Sequence, residues 1–243
     1  MTEGNCALCG NWKPLTFEHI PPQCALNNKA IFIQKHEHLN DENSRLFGKK
    51  MRSQRGFGKQ TICASCNNDT GNWYVKDFCE FSNQGLEILT LNTQKEYVSG
   101  EYTIKPHNVL KQILMMFVAA DSGGSVGEIK GVRDYLLNRE NSNFPNDLKI
   151  FLYSNSSTHK RMLGYMIIGD FDENGPIISK WSEINFRPFG YFLTHESEPP
   201  NPFMVDITAF SKVPFDKKMI VTLTTPYFIV DNPMIGFYKN VSI

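Results

Sequence analysis

The chain has 243 residues, of which 41% are hydrophobic and 21% are charged, and this composition is typical of globular domains. The length allows one large domain or two small ones with a core that needs no covalent staples. Lys plus Arg and Asp plus Glu number 25 each, so the net charge is zero. Overall charge therefore excludes a globally basic nucleic-acid binder, and any such binding has to rest on a local patch.

The N-terminus lacks the basic-then-apolar pattern of a secretion signal. The most apolar stretch, residues 113–120, is much shorter than a segment that spans a bilayer. We therefore expect a cytoplasmic protein without membrane contacts, in which cysteine thiols stay reduced.

Two parts of the chain differ in their sequence patterns. Residues 1–80 contain all six cysteines and little periodic hydrophobicity, so we expect a metal to organise this part. Residues 81–243 show helical patterns first and strand patterns later. The predicted fold class is α+β, with a zinc-stabilised N-terminal module, then a helical segment, then a mostly antiparallel sheet. The boundary between the two parts is expected between residues 80 and 105.

The second part begins with two predicted helices. Pro106 suits a first helical turn, apolar residues recur at helical spacing after it, and the pattern stops at Asp121. A second helix is expected from about Gly127 to Arg139. Short runs rich in β-branched and aromatic residues follow. They predict strands at Leu148–Tyr153, Met162–Gly169, Ile177–Trp181, Tyr191–Thr194, Met204–Phe210, Met219–Thr224 and Tyr227–Val230.

Four of the six cysteines form two CxxC pairs, which are Cys6 with Cys9 and Cys63 with Cys66. Each pair places two thiolates on one tight turn, and two such turns complete a tetrahedral, all-sulfur site. We predict one structural Zn2+ there, which supplies folding energy but no chemistry because sulfurs fill all four positions. The isolated Cys24 and Cys79 are interpreted as buried packing thiols.

Residues suited to phosphodiester hydrolysis lie close to these cysteines. Hydrolysis needs a base that activates water and a divalent cation held by oxygen ligands. His19 can serve as the base, and Glu18 and Asn67 offer the hard oxygen ligands that Mg2+ prefers. Asn67 directly follows Cys66, so a bound zinc would fix its position. Taken alone, His19 is better explained as a structural histidine bonded to its loop; its place between the CxxC pairs favours catalysis.

Three N-terminal segments form a recognisable set: Cys6-x2-Cys9, Glu18-His19-Ile20-Pro21, and Cys63-x2-Cys66-Asn67 with Gly71. Together they resemble the HNH (ββα-metal) endonuclease superfamily, in particular its zinc-stabilised branch and the phage Holliday-junction resolvases of the endonuclease VII type. The resemblance covers about residues 6–80. It implies a β-hairpin followed by a helix that starts near the second CxxC pair. It also implies that His19 is the general base and that Glu18 and Asn67 hold a catalytic Mg2+ or Mn2+.

The chain departs from the common pattern of this superfamily at three positions. The acidic position, here Glu18, is more often Asp, and the last position is Asn67 rather than His. The asparagine that orients the histidine is not assignable from the sequence. The candidates for it are Asn40, Asn43 and Asn68.

A basic segment without acidic residues lies between the two CxxC pairs. Its basic residues are Arg45, Lys49, Lys50, Arg52, Arg55 and Lys59. A cationic loop beside the metal site would neutralise phosphates and seat a nucleic-acid backbone without reading its sequence. We therefore expect DNA, or alternatively RNA, as the partner. The nearby His36 and His38 are interpreted as solvated surface residues.

The sequence thus predicts a metal-dependent endonuclease that hydrolyses phosphodiester bonds in DNA, or alternatively in RNA. Small nucleases with an added domain of this size occur in anti-phage defence and in mobile elements, and that comparison is an analogy only. One rival hypothesis is a non-catalytic zinc-knuckle module that binds nucleic acid. The other is a protein-interaction module, in which the C-terminal domain binds a protein partner or a second copy of the chain. Residues 100–243 carry no recognisable chemistry.

Overall fold

The structure is a computed structural model that describes residues 2–92, 96–172, 175–230 and 239–240. The chain forms a mixed α+β fold with few helices and a mostly antiparallel sheet, as predicted. None of the helices in the described residues combines the length and the apolar content needed to cross a bilayer.

The N-terminal part contains five strands and the first two helices. These are β1 (Glu3–Asn5), β2 (Trp12–His19), β3 (Ile31–Gln34), α1 (Glu37–Asn40), β4 (Lys50–Ser53), β5 (Gly58–Cys63) and α2 (Ala64–Thr90). An antiparallel sheet has the strand order β1-β2-β5, and β3 and β4 form a separate antiparallel hairpin. The chain between β2 and β5, residues 20–57, is therefore an insert that carries this hairpin and α1.

Helix α2 joins the N-terminal part to the rest of the molecule. It begins directly after Cys63 and continues without a break past residue 80. Its buried face includes Tyr74, Phe78 and Phe81. One cluster of buried apolar residues extends from Cys6 to Leu223. The range of residues 80–105 in which the boundary was expected contains the end of α2 at Thr90, and the two parts share a core.

The second part surrounds a larger sheet. Its elements are β6 (Tyr97–Ile104), α3 (Pro106–Ala120), α4 (Ser125–Glu128), α5 (Val132–Leu137), β7 (Leu148–Asn155), β8 (Arg161–Asp172), β9 (Gly175–Phe186), β10 (Phe189–His195), β11 (Val205–Asp206), a 3-10 helix (Thr208–Lys212), β12 (Met219–Ile229) and β13 (Lys239–Asn240). The strand order is β13-β12-β7-β10-β9-β8, with β6 beside β12 and β11 beside β7. Among the described strands, only the β12–β7 pairing is parallel.

Helix α3 lies in the interior of the molecule. It starts at Pro106 and ends before Asp121, as predicted. All of its residues are buried, because it is apolar on nearly every side and contacts both α2 and β5. The helix therefore connects the N-terminal sheet to the core of the second part.

Several predicted elements differ from the structure. The second helix is divided into α4 and α5, because Gly131 between them adopts a left-handed conformation with φ of 89°. The predicted strand Met204–Phe210 is a two-residue strand followed by a 3-10 helix. The last two predicted strands form one strand, β12, and Pro226 lies where that strand passes from β6 to β7.

Candidate functional site

The four cysteines of the CxxC pairs form one compact group. The sulfurs of Cys6, Cys9, Cys63 and Cys66 all lie within 4.8 Å of one another, and the Sγ atoms of Cys9 and Cys63 are 4.0 Å apart. Sulfurs about 2.3 Å from a tetrahedral zinc ion lie about 3.8 Å from each other. The group could therefore hold a metal ion such as zinc.

Backbone hydrogen bonds shape the first CxxC turn. The N–H of Gly10 donates to the carbonyl of Cys6 at 2.8 Å, and Gly10 adopts a left-handed conformation with φ of 76°, which favours glycine. The N–H of Ala7 donates to the carbonyl of Thr61 on β5 at 2.9 Å. The backbone N–H of Cys63 donates to Sγ of Cys6 at 3.3 Å. These bonds hold the first turn against β5, so that both turns face one point.

The four thiols share their protons within the group. The hydrogen bond from Cys66 lowers the pKa of Cys6 to about 4, and the same bond raises the pKa of Cys66. Cys6 is therefore deprotonated more easily than Cys66. Binding of a cation requires thiolates and releases the remaining protons.

The prediction that Cys24 and Cys79 are buried packing thiols is wrong. The two residues form a disulfide with Cα atoms 5.8 Å apart. The bond connects the insert to α2. The sequence carries no spacing signal for it, since 55 positions separate the two residues and the expectation of reduced thiols argued against any disulfide.

Glu18 and Asn67, the two predicted cation ligands, lie together. Glu18 is near the end of β2, and Asn67 is in the first turn of α2. The side chain of Asn67 hydrogen-bonds to the Glu18 carboxylate and donates from Nδ2 to Oγ1 of Thr16 at 3.1 Å. Burial raises the pKa of Glu18 to about 7, and the hydrogen bond with Asn67 opposes that rise. A carboxylate and an amide side chain thus lie together beside the cysteine group.

His19 is held by two hydrogen bonds. Its Nε2 lies 2.9 Å from the amide nitrogen of Gln23, and the ring also bonds to the backbone of Arg55. Because an amide nitrogen only donates, Nε2 accepts, and the proton on the other ring nitrogen goes to the Arg55 carbonyl. Burial lowers the pKa of His19. The ring is therefore neutral near pH 7, with a lone pair on Nε2.

The strand separates His19 from the other two residues. The rings of His19 and Phe17 are in T-shaped contact with centroids 5.0 Å apart, so these residues share one face of β2. Thr16 and Glu18 alternate with them and face Asn67. The structure thus brings Glu18 and Asn67 together. His19 directly follows Glu18 in the chain but lies on the opposite face of β2.

The structure reveals a residue near His19 that the sequence analysis missed. Asn27 is 1% exposed. Its Nδ2 donates to the carbonyls of Pro21 at 2.6 Å and Phe57 at 2.7 Å, and its Oδ1 accepts from the N–H of Phe57 at 2.8 Å. A Cβ at Gly56 would lie 2.6 Å from the Asn27 carbonyl oxygen, so this contact also requires a glycine. Asn27 therefore joins the two ends of the insert beside His19.

Two of the three asparagines predicted to orient the histidine, Asn43 and Asn68, do not show such contacts. Asn43 and Asn68 are exposed, and the side chain of Asn40 lies outside the described residues. Asn27 had no signal in the sequence, because its role depends on the approach of residues 21 and 57, which only the folded chain brings together.

The basic residues of the insert fall into two groups. Arg45, Lys49, Lys50, Arg52 and Arg55 are exposed, and none of them forms an ion pair with a described residue. Lys59 differs from them. Its Nζ donates to the carbonyl of Ala120 at 2.6 Å and to Oγ of Ser122 at 3.0 Å, so its ammonium group is bound at the C-terminal end of α3.

His36 and His38 also differ from each other. His36 is exposed, as expected. His38 was predicted to be solvated but is only 4% exposed, and its Nδ1 lies 3.3 Å from the carbonyl oxygen of Lys49. The prediction for His38 is wrong because the insert folds as a hairpin that covers this side chain.

Comparisons of the chain with protein-family models, with curated proteins and with solved structures found no match.

Proposed function

We propose that this chain is a metal-dependent endonuclease of the HNH type that hydrolyses phosphodiester bonds in DNA, or alternatively in RNA. The observation that carries the proposal is the hydrogen bond between Glu18 and Asn67 beside the cysteine group. These residues lie on β2 and α2, and α2 starts between two of the clustered cysteines. This arrangement of two antiparallel strands and a helix supports the resemblance that the motifs indicate.

The structural ion in this proposal is Zn2+, held by the four clustered cysteines. The first turn of α2 contains Cys66 and, directly after it, Asn67. A metal that fixes Cys66 would also fix the Asn67 side chain against Glu18. The zinc would thus hold Asn67 in place and would take no part in the hydrolysis itself.

The second ion in the proposal is Mg2+ or Mn2+, held by Glu18 and Asn67 with water and substrate oxygens as its further ligands. When bound, this ion neutralises charge on the phosphate and on the leaving oxygen. Glu18 and Asn67 are suited to hold it because their side chains are in contact in a half-buried position. The Asn67 amide, whose Nδ2 donates to Thr16 in the structure, would present Oδ1 to the ion.

His19 accepts the proton of the attacking water at Nε2 in this mechanism, after the Gln23 amide that donates to this nitrogen in the structure has moved away. Its lowered pKa keeps the ring neutral, and the bond to Arg55 fixes which nitrogen carries the proton. The attacking and leaving oxygens are in line on opposite sides of phosphorus. In this mechanism the scissile phosphate lies at the end of β2, where it can be reached both by His19 and by a cation on Glu18 and Asn67, which are on opposite faces of the strand.

The exposed basic residues of the insert bind the nucleic-acid backbone in this proposal. Five cations without ion-pair partners on one insert can neutralise several phosphates. These contacts position the strand and carry no sequence information.

Nuclease assays test the proposal directly. Supercoiled plasmid, linear DNA and RNA are incubated with Mg2+, Mn2+ or EDTA and either wild-type protein, His19→Ala, Glu18→Gln or a control, His195→Gln. We expect metal-dependent cutting by the wild type and the control, and a loss of about 100-fold or more for His19→Ala. Zinc content and circular dichroism confirm that each variant is folded.

Two results would contradict the proposal. One is cutting that is equally fast for His19→Ala and wild type, since another base or a contaminant would then be responsible. The other is tight binding of nucleic acid without cutting under any metal condition, which would support the non-catalytic module instead.

A further inference from the structure

A cavity of about 760 Å³ lies between the β3–β4 hairpin of the insert and strands β8 and β9 of the large sheet. Ile31, Ile33 and Lys50 line it on the hairpin side, and Lys160, Met162 and Asn185 line it on the sheet side. Its size is within the range of sites for small organic ligands. Neither Glu18 nor Asn67 lines it, so it is distinct from the proposed cation site.

Asn185 on β9 is an unusual residue in this wall. It is 0% exposed, and neither Nδ2 nor Oδ1 has a hydrogen-bond partner among the described residues. Burial of an unpaired amide costs free energy, and such groups are rare in folded proteins. An amide that lines a cavity with both of its atoms unpaired is available to donate to and accept from the same ligand.

Charge in the walls favours an anionic ligand. Among the described residues, no acidic side chain lines the cavity. Lys50 and Lys160, on opposite walls, form no ion pair with a described residue. The other strongly basic side chains of the walls have partners within the protein; these pairs are Lys35 with Glu37, Arg161 with Glu183, and Lys59 with the Ala120 carbonyl. The ammonium of Lys160 lies 4.4 Å from the centroid of the Phe186 ring. Both ammonium groups can still donate to an anion such as a phosphate.

Most of the remaining wall is apolar and includes Phe57, Leu163 and Val230. A planar heterocycle fits such a wall, and asparagine can pair in two places with the edge of a base. We propose that this cavity binds a nucleoside phosphate, with its base at Asn185 and its phosphate at Lys50 and Lys160. The ligand is either a free mononucleotide or one nucleotide of a bound strand.

The cavity is also connected to the loop of His19. Phe57 lines the cavity, and its carbonyl accepts from the N–H of Ile20 at 3.0 Å, directly after His19. A ligand against Phe57 thus contacts the segment that carries the proposed base. An effect on cleavage would rest on the proposed function, whereas binding in the cavity does not.

Isothermal titration calorimetry on the full chain tests the binding. The probes are AMP, GMP, CMP, UMP, adenosine and inorganic phosphate. We expect at least one mononucleotide to bind more tightly than adenosine or phosphate alone. Asn185→Leu should weaken that binding about tenfold or more without lowering Tm, because the substitution removes an amide that has no partner in the protein. Lys50→Ala with Lys160→Ala, two exposed positions, should also weaken it, and the control Lys130→Ala should not.

A 5′-phosphorylated single-stranded oligonucleotide, followed by fluorescence anisotropy, distinguishes the two sources of the ligand. If Asn185→Leu weakens only oligonucleotide binding, the ligand is a nucleotide of a strand, and the site stands. If the Asn185→Leu protein and the double lysine variant bind every probe as the wild type does, the proposal is overturned. Both assays use binding as the readout, so an inactive His19 site would leave their outcome unaffected.

Discussion

Asn27 and Phe57 are joined by two hydrogen bonds that run in opposite directions, at 2.7 and 2.8 Å. The same Asn27 side chain donates to the carbonyl of Pro21, and Phe57 accepts from Ile20. The chain that leaves β2 and the chain that enters β5 are thereby fastened together next to His19. The position of His19 consequently depends on a buried amide outside its own strand.

We predict that Asn27→Ala lowers the free energy of unfolding by about 2–4 kcal/mol, because it removes the partner of the Phe57 N–H and of the Pro21 carbonyl. The Phe57 carbonyl loses one of its two donors and keeps Ile20. The substitution should also reduce cleavage, since His19 loses its support. Urea denaturation and the plasmid assay measure the two effects. Asn28→Ala is the matched control, because its neighbouring side chain is exposed. Equal behaviour of the two variants in both assays would show that the Asn27 side chain has no such role.

Local patterns in the sequence were sufficient for part of the fold. Helix α3 has the predicted bounds, because its pattern depends on residues a few positions apart. The meeting of the two CxxC pairs joins distant residues and was predicted because a tetrahedral metal site needs four ligands. Strand β6 was missed within a region predicted to be mainly helical. Its alternation of buried Val98, Tyr102 and Ile104 with exposed residues was readable in principle, and the neighbouring helix pattern obscured it.

Features that depend on distant parts of the chain could not be predicted. The disulfide of Cys24 and Cys79 spans 55 positions, and the contact of Lys59 with Ala120 spans 61. Glu18 and Asn67 are also far apart in the chain, and only the motif resemblance suggested that they meet. Lys59 was interpreted as one more phosphate-binding cation because its contact with the end of α3 cannot be predicted from composition.

Metal analysis should find one zinc ion per chain, held by the clustered cysteines. Cys63→Ser should lose this zinc and unfold at a lower temperature, because an ion that binds only the folded chain supplies folding energy. Inductively coupled plasma mass spectrometry and thermal denaturation measure these effects. The double variant Cys24→Ser with Cys79→Ser provides the control and should keep its zinc. Full zinc retention in Cys63→Ser would argue against the site.

The salt dependence of DNA binding should separate the two kinds of basic residue in the insert. Loss of one phosphate contact reduces the slope of log K against log salt by about 0.9 for duplex DNA. We expect such a reduction for Lys49→Ala and for Arg52→Ala, which are exposed. Lys59→Ala should leave the slope unchanged and lower the thermal stability instead, because Ala120 and Ser122 lose a donor. A reduced slope for Lys59→Ala would show that its ammonium leaves α3 to contact phosphate.

A buried lysine should make stability depend on pH above neutrality. The ammonium of Lys111 donates to the carbonyls of Tyr135 and Asn138 and lies 3.9 Å from the centroid of the Tyr135 ring. Burial nevertheless lowers its pKa from 10.5 to about 7. Below pH 7 the lysine is protonated in both the folded and the unfolded chain, and the full cost of burying the charge applies.

Between about pH 7 and pH 10 the unfolded chain binds this proton and the folded chain does not, so the free energy of unfolding rises with pH. The Lys111→Met variant lacks this titration. The stability of wild type relative to Lys111→Met should therefore increase across this range, as measured by urea denaturation at several pH values. Lys130→Met, at an exposed position, controls for the general effect of pH and should stay parallel to wild type. A constant difference between wild type and Lys111→Met would mean that the two carbonyls and the ring compensate the buried charge, and that the pKa of Lys111 is near its ordinary value.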